Sequence, residues 1–321
     1  MLSFRVSFAE ANLTGFFQIG INNLKTTTTG TAVTKSTLED SNANTALNFT
    51  DVEDLGDGLK VTTNIGLLPA VNDVNKTQTG QTTYAALSGG FGELKAGKFG
   101  NDQFWTVVAG DSTGYMGSNA ATVNLDFDTD GAWTVWTSDQ VRYQLPTFAT
   151  GLTLAYTSKL GGKTDGSGGA DTLLAGYTTG GFNVQLAGTQ FKASGSNTDT
   201  LTSIAASYDF GMAKLYALTT SAKIANEGTV TGRNIGVSVP VGAVTLMYNN
   251  SSADGYLYKR DITAVDQTSQ DIGVTYAFSK RTTAWLLFTT YDGATGGQSQ
   301  TGTVNSTSGY DSVRVMLTHS F

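Results

Sequence analysis

Cysteine is absent from this chain of 321 residues, proline occurs only 3 times and histidine only once, as His319. Without cysteine there is no disulfide and no thiolate metal site, and with one histidine neither a zinc site nor a Cys–His pair can be assembled. Charge is also scarce, with Asp, Glu, Lys and Arg making up only 14% of the chain. The net charge of −7 and the lack of any Lys/Arg cluster argue against nucleic acid as a partner, because phosphate binding needs concentrated positive charge. Long hydrophobic runs are missing as well: no stretch approaches the roughly 18 consecutive apolar residues of a membrane helix. If the chain lives in a membrane, it does so as strands, since a closed barrel is the other way to satisfy every backbone polar group in lipid.

What is present is alternation. Over Gly309 to Phe321, Val313, Val315, Leu317 and Phe321 fall on one side, and Tyr310, Ser312, Arg314, Thr318 and Ser320 on the other. Period two puts one set toward an apolar medium and the other toward a polar one, as in a membrane β-barrel strand. Further strands read the same way. Leu13, Phe17, Ile19 and Ile21 face lipid while Thr14, Phe16, Gln18 and Asn22 face the lumen, and Val141, Tyr143 and Leu145 oppose Gln140, Arg142 and Gln144. Val244, Leu246 and Tyr248 oppose Met247 and Asn249. The run at Trp285 to Thr289 is apolar on both faces, which leaves open a subunit contact or a slipped register.

Short turn signals punctuate these runs at Leu55–Gly58, Gly89–Gly92, Pro146–Gly151, Gly180–Gly181, Phe210–Gly211, Pro240–Gly242 and Phe278–Lys280. Seven tight turns on one rim, with both termini on that rim, give eight hairpins and therefore 16 strands, all antiparallel. The opposite connections are longer and polar: Thr26–Asn42, Pro69–Gly80, Leu160–Ala170, Ala193–Asp199, Lys223–Thr231, Ser252–Thr268 and Asp292–Ser308. Turns centred near residues 57, 91, 148, 180, 211, 241 and 279 lie 34, 57, 32, 31, 30 and 38 residues apart. The long interval places its surplus in residues 100–139, a third loop expected to fold inward and narrow the lumen. Residues 1–12 read as a leader or truncated signal remnant, with a full signal expected upstream in the precursor, and residues 13–321 as one barrel domain.

The third loop carries the chemistry. Asp102, Asp111, Asp126, Asp128 and Asp130 precede the first basic residue, Arg142, and an acidic ring in a narrow throat favours cations. Its aromatic residues include Trp105, Tyr115, Trp133 and Trp136, which either guide neutral solutes or, more commonly, pack the loop against the wall. Asp126, Asp128 and Asp130, with Gly131, have the opening spacing of a calcium loop, but Thr137 stands where the bidentate Glu belongs. Calcium is thus the one cofactor the sequence admits, against a solvated polar loop as the favoured alternative. His319 lies on the outward face near the end of the chain, where an interfacial role is expected rather than catalysis. No enzymatic activity is expected.

Particular residues also carry a family resemblance. Glu53–Lys60, Tyr84–Lys98, Val141–Phe148 and Tyr276–Thr282, in that order, resemble the turns and flanking strands of the general porins of Gram-negative bacteria, of the neisserial and burkholderial type. Together with terminal Phe321 they cover nearly the whole chain. The resemblance implies a homotrimer of 16-stranded barrels in the bacterial outer membrane, in contact with its lipid and lipopolysaccharide. It also implies passive diffusion of small solutes past the inward third loop, and Phe321 resembles the signal that the barrel assembly machinery reads. Porins of this type carry a ladder of basic side chains on the wall opposite the loop; here Phe16, Ala46 and Gln81 stand at its positions. Arg142 and Arg314 remain, with Lys95 expected on the lower lumen, so the family's anion preference is not carried over. A cation-preferring or weakly selective pore is the expectation, with an adhesive or structural barrel acting through its long loops as the alternative.

Overall fold

A computed structural model describes residues 11–28, 31–39, 45–68, 80–114, 116–117, 135–160, 169–192, 198–224, 227–258, 261–263, 266–293, 298–299, 302–303 and 309–321. In chain order the elements are β1 (Asn12–Thr28), β2 (Thr31–Glu39), β3 (Ala46–Gly56), β4 (Leu59–Leu67), β5 (Gly80–Gly89), β6 (Gly92–Gly100), α1 (Asp102–Ala109), β7 (Trp136–Gln144), β8 (Leu152–Lys159) and β9 (Gly169–Thr179). There follow β10 (Phe182–Lys192), β11 (Thr198–Asp209), β12 (Lys214–Ile224), β13 (Gly228–Val241), β14 (Val244–Ala253), β15 (Tyr256–Tyr258), β16 (Asp261–Thr263), β17 (Gln267–Ala277), β18 (Thr282–Asp292), β19 (Gln298–Ser299), β20 (Gly302–Thr303) and β21 (Tyr310–Ser320).

Seventeen strands share one antiparallel sheet, which closes where β1 pairs with β21. The barrel nevertheless has 16 positions. One edge of β1 is occupied by β21 over Phe16–Thr26, so β2 and β3 must both lie on the other edge. There Asn12–Phe16 pairs with β3 and Gly20–Thr28 with β2. Two short strands therefore fill a single barrel position. This corrects the first long connection: within Thr26–Asn42 the β1–β2 hairpin continues to Thr28 and Thr31. Threonine-rich sequence reads as loop by polarity, yet its β-branched side chains suit an extended ladder. Likewise, β15 pairs with β16 within Ser252–Thr268, and β19 with β20 within Asp292–Ser308.

All seven tight turns fall where the turn signals lie, six of them marked by glycine. Gly151, Gly180, Gly211 and Gly242 adopt positive φ at four of them, the backbone region that glycine enters without a steric penalty. Alternation then sorts the faces. Leu13 and Ile21 are exposed on the outside while Gln18 and Asn22 are buried within. Tyr208 packs edge-on against Phe210 at 4.6 Å, and Tyr276 against Phe278 at 5.0 Å, which builds an aromatic girdle at the short-turn rim. On β18 the register settles the doubly apolar run. Phe288 faces out, and Leu287 is fully buried inside, over Gly273 and beside Met247. Barrel closure ends on the last residue: Gly15 N–H donates to the Phe321 carbonyl at 2.9 Å and Phe321 N–H to the Gly15 carbonyl at 3.0 Å. The Phe321 ring covers Gly15 so closely that a Cβ there would overlap it.

Candidate functional site: the lumen and its pinned segment

The third connection begins with a helix rather than a bare loop, which corrects the expectation for residues 100–139; β7 also starts earlier, at Trp136. Asn101 caps α1 by accepting the Phe104 N–H on its side-chain oxygen at 2.7 Å, and Asp102 in the first turn suits the positive end of the helix dipole. Gly110 ends it. A Cβ at Gly110 would stand 2.8 Å from the Leu218 Cβ, so only glycine lets the backbone come this near the wall.

The segment bonds to the barrel through a series of inward-pointing residues. At its start, the Arg142 Nε donates to Asp102 at 3.2 Å, and the Thr157 hydroxyl donates to the same carboxylate at 2.8 Å. The Gln103 amide donates to Thr189 Oγ1 at 3.0 Å and to the Leu201 carbonyl at 2.9 Å, while Val107 packs on Ala205 and Leu218. The Asn234 amide donates to the Gly110 carbonyl at 2.8 Å. Asn249 is a hub: its amide nitrogen donates to Asp111, and its oxygen accepts from Ser112 N–H at 3.1 Å and Ser112 Oγ at 2.8 Å. Finally Arg314 Nη1 donates to the Met116 carbonyl at 2.6 Å, and the Gln18 amide lies 3.4 Å from the Met116 sulfur. The segment Asn101–Gly117 is therefore fastened in turn to β7, β8, β10, β11, β13, β14, β21 and β1, along most of the inner circumference.

Of the charged residues proposed from sequence, the structure brings together Asp102 with Arg142, and Arg314 with the far end of the segment. Asp111 accepts from its neighbour Thr113 through N–H at 2.7 Å and Oγ1 at 2.8 Å, in addition to Asn249. Asp102 and Asp111 are 7% and 2% exposed, so both carboxylates serve the anchoring rather than an open rim. Lys95 sits elsewhere, 3.4 Å from Glu93 and above the rings of Tyr84 and Phe99 at 5.0 and 5.3 Å. Phe16 points inward, and Gln81 lies on β5. Trp105 is edge-on to Phe104 at 5.1 Å and to Trp136 at 5.9 Å, so the described aromatics of the loop pack on one another at its base. Tyr115, Asp126, Asp128, Asp130 and Trp133 lie outside the described residues. Among the described residues no cluster of carboxylates or imidazoles could hold a metal ion.

The sequence places Gln18 and Asn249 on the inner face but does not mark them, or Gln103 and Asn234, as anchors, because an inward amide looks the same whether water or protein will meet it. Sequence reading also passes over Gly110-Asp111-Ser112-Thr113-Gly114, which spells the pattern of a nucleophile elbow. The context differs: this stretch follows a helix, Ser112 Oγ is spent on Asn249 and the Tyr248 carbonyl, and His319 bonds Thr282 at the turn rim.

A closed antiparallel barrel with a polar interior and a segment pinned along its inner wall defines a β-barrel channel of the outer-membrane type. The chain belongs to the Gram-negative porin family, whose family model matches residues 5–299, and its place is accordingly the outer membrane. No functionally curated protein matches the sequence. Among solved structures it is similar to the anion-selective porin from Comamonas acidovorans, at 20% identity and a TM-score of 0.82, covering 98% of this chain and 100% of that one. It is also similar to the trimer form of OmpT, an outer-membrane protein of Vibrio cholerae, at 14% identity and a TM-score of 0.74, covering 98% and 100%. A third is OmpF of Salmonella typhi, in complex with daunomycin, at 13% identity and a TM-score of 0.75, covering 98% of each chain. The short-turn rim is thus the periplasmic one.

Proposed function

We propose that the protein is a passive diffusion channel for small hydrophilic solutes and ions, acting as a homotrimer among outer-membrane lipid and lipopolysaccharide, with Phe321 read by the barrel assembly machinery. The trimer form of OmpT supports the first part of that assembly. The carrying observation is the pinned segment. It narrows the barrel from one side and leaves the inner face of β3 to β6 without a bond to it among the described residues.

Among the described residues, charge on that face is balanced. Asp54, Lys60, Glu93 and Lys95 point inward near the periplasmic rim, two of each sign. With Asp102 and Asp111 held in anchoring bonds, a weakly selective pore is favoured over a strongly cationic one, since a selective filter needs carboxylates free to meet ions. Single-channel recording in a planar bilayer tests the proposal. Stepwise conductance increments are expected, and a barrel that inserts yet carries no current would defeat the reading.

A further inference from the structure

The open wall carries an organised set of uncharged polar side chains that the pinned segment does not use. The Asn64 amide donates to Thr50 Oγ1 at 2.9 Å, and Thr82 Oγ1 donates to the Asn64 oxygen at 2.5 Å while lying 3.4 Å from the Asn48 oxygen. Asn64 is buried at the centre, whereas Asn48, Thr50 and Thr82 are half-buried and reach the lumen. The Asn48 amide nitrogen donates to no protein atom among the described residues. Tyr84, the register partner of Asn64, stands edge-on to Phe99 at 6.3 Å with the Lys95 ammonium over its ring.

We infer that this amide and hydroxyl array on β3, β4 and β5 is a binding track for neutral polyhydroxylated solutes, in particular short oligosaccharides. The inference rests on the channel reading above and names the solute class of the same lumen. Amides and hydroxyls offer donor and acceptor at once, which matches the alternating hydroxyls of a sugar. Asn48 adds an amide at the edge of the array, beside the Thr82 hydroxyl that is engaged by Asn64. The side chains of the array itself carry no charge; on this wall Glu93 and Lys95 pair with each other, and Asp54 faces Lys60 across the strand pair nearer the rim. An array built for an anion would instead present arginine forks or free lysines.

The test is current recording through the full chain in KCl with added maltotriose, and with gluconate as a charged polyol. Maltotriose is expected to reduce and fluctuate the open current in a saturable way, with gluconate ineffective at the same concentration. Asn48→Leu is expected to weaken the maltotriose effect by about tenfold, the loss of one or two hydrogen bonds to the solute, without changing the KCl conductance substantially. Asn48→Gln, which keeps the amide, should restore most of it and guards against a variant that is merely misfolded. A wild-type channel that conducts normally but ignores maltotriose overturns the inference and spares the channel reading. Equal block by gluconate, or an unchanged maltotriose effect in Asn48→Leu, overturns it too; absence of any conductance removes the channel reading itself.

Discussion

The inner faces of β10 to β14 and of β3 to β6 follow the same alternation and draw on the same residue types, asparagine, glutamine, serine and threonine, yet they do different work. On the first, Asn234 and Asn249 are 2% and 0% exposed because the third connection lies against them. On the second, Asn48 and Thr82 remain half-buried and bond only within the wall. An inward amide is thus an anchor or a lumen surface according to what covers it, and its own sequence position does not say which. Charge divides in the same way: the pinned half engages Asp102, Asp111, Arg142 and Arg314 in bonds to or within the segment, and the open half carries two acids and two bases near its rim.

The contrast can be broken hardest at its ionic pin. Arg142→Ala leaves Asp102 buried with only Thr157, and removing one partner of a buried pair costs roughly 3 kcal/mol or more. A lowered thermal transition in detergent and a shift toward cations are expected together; an unchanged transition would mean the pair is not an anchor. Asn249→Ala comes next. It takes one partner each from the Ser112 N–H and Asp111, for about 2 kcal/mol, and should appear as open-channel noise from a loosened segment. Gly15→Val acts at neither half but at the seam between them, where the new side chain displaces the Phe321 ring for about 1–3 kcal/mol of overpacking. The folded fraction on unboiled gels should fall, as it should on deleting Phe321, and normal folding of both would show that the seat is dispensable. Smallest in stability is Lys60→Ala on the open wall, within about 0.5 kcal/mol, yet it unbalances the two-and-two charge set. Its reversal potential should move toward cations with the thermal transition unmoved.

Much of the barrel was legible in the sequence, since turns and faces are local: glycine marks six of the seven tight turns, and period two marks the inside. The split second barrel position was not, because Thr26–Lys35 is polar enough to pass for loop, and the ladder that joins β2 to β1 is a backbone register that polarity does not show. Helix α1 also escaped, with Asn101, Asp102 and Gly110 giving cap signals across only eight residues. In the lumen, Asp102, Arg142 and Arg314 were recognisable as candidates by type and face. Their pairing was not, because Asp102 and Arg142 are 40 positions apart and meet only when the chain turns inward.

Reversal potential across the wild-type channel in a KCl gradient bears most directly on the division between a pinned, charge-engaged half and an open, charge-balanced one. A value close to zero, with cation and anion permeabilities within about threefold of each other, is the expected result. A strong preference for either chloride or potassium would contradict it, because free charge of one sign would then have to line the aperture.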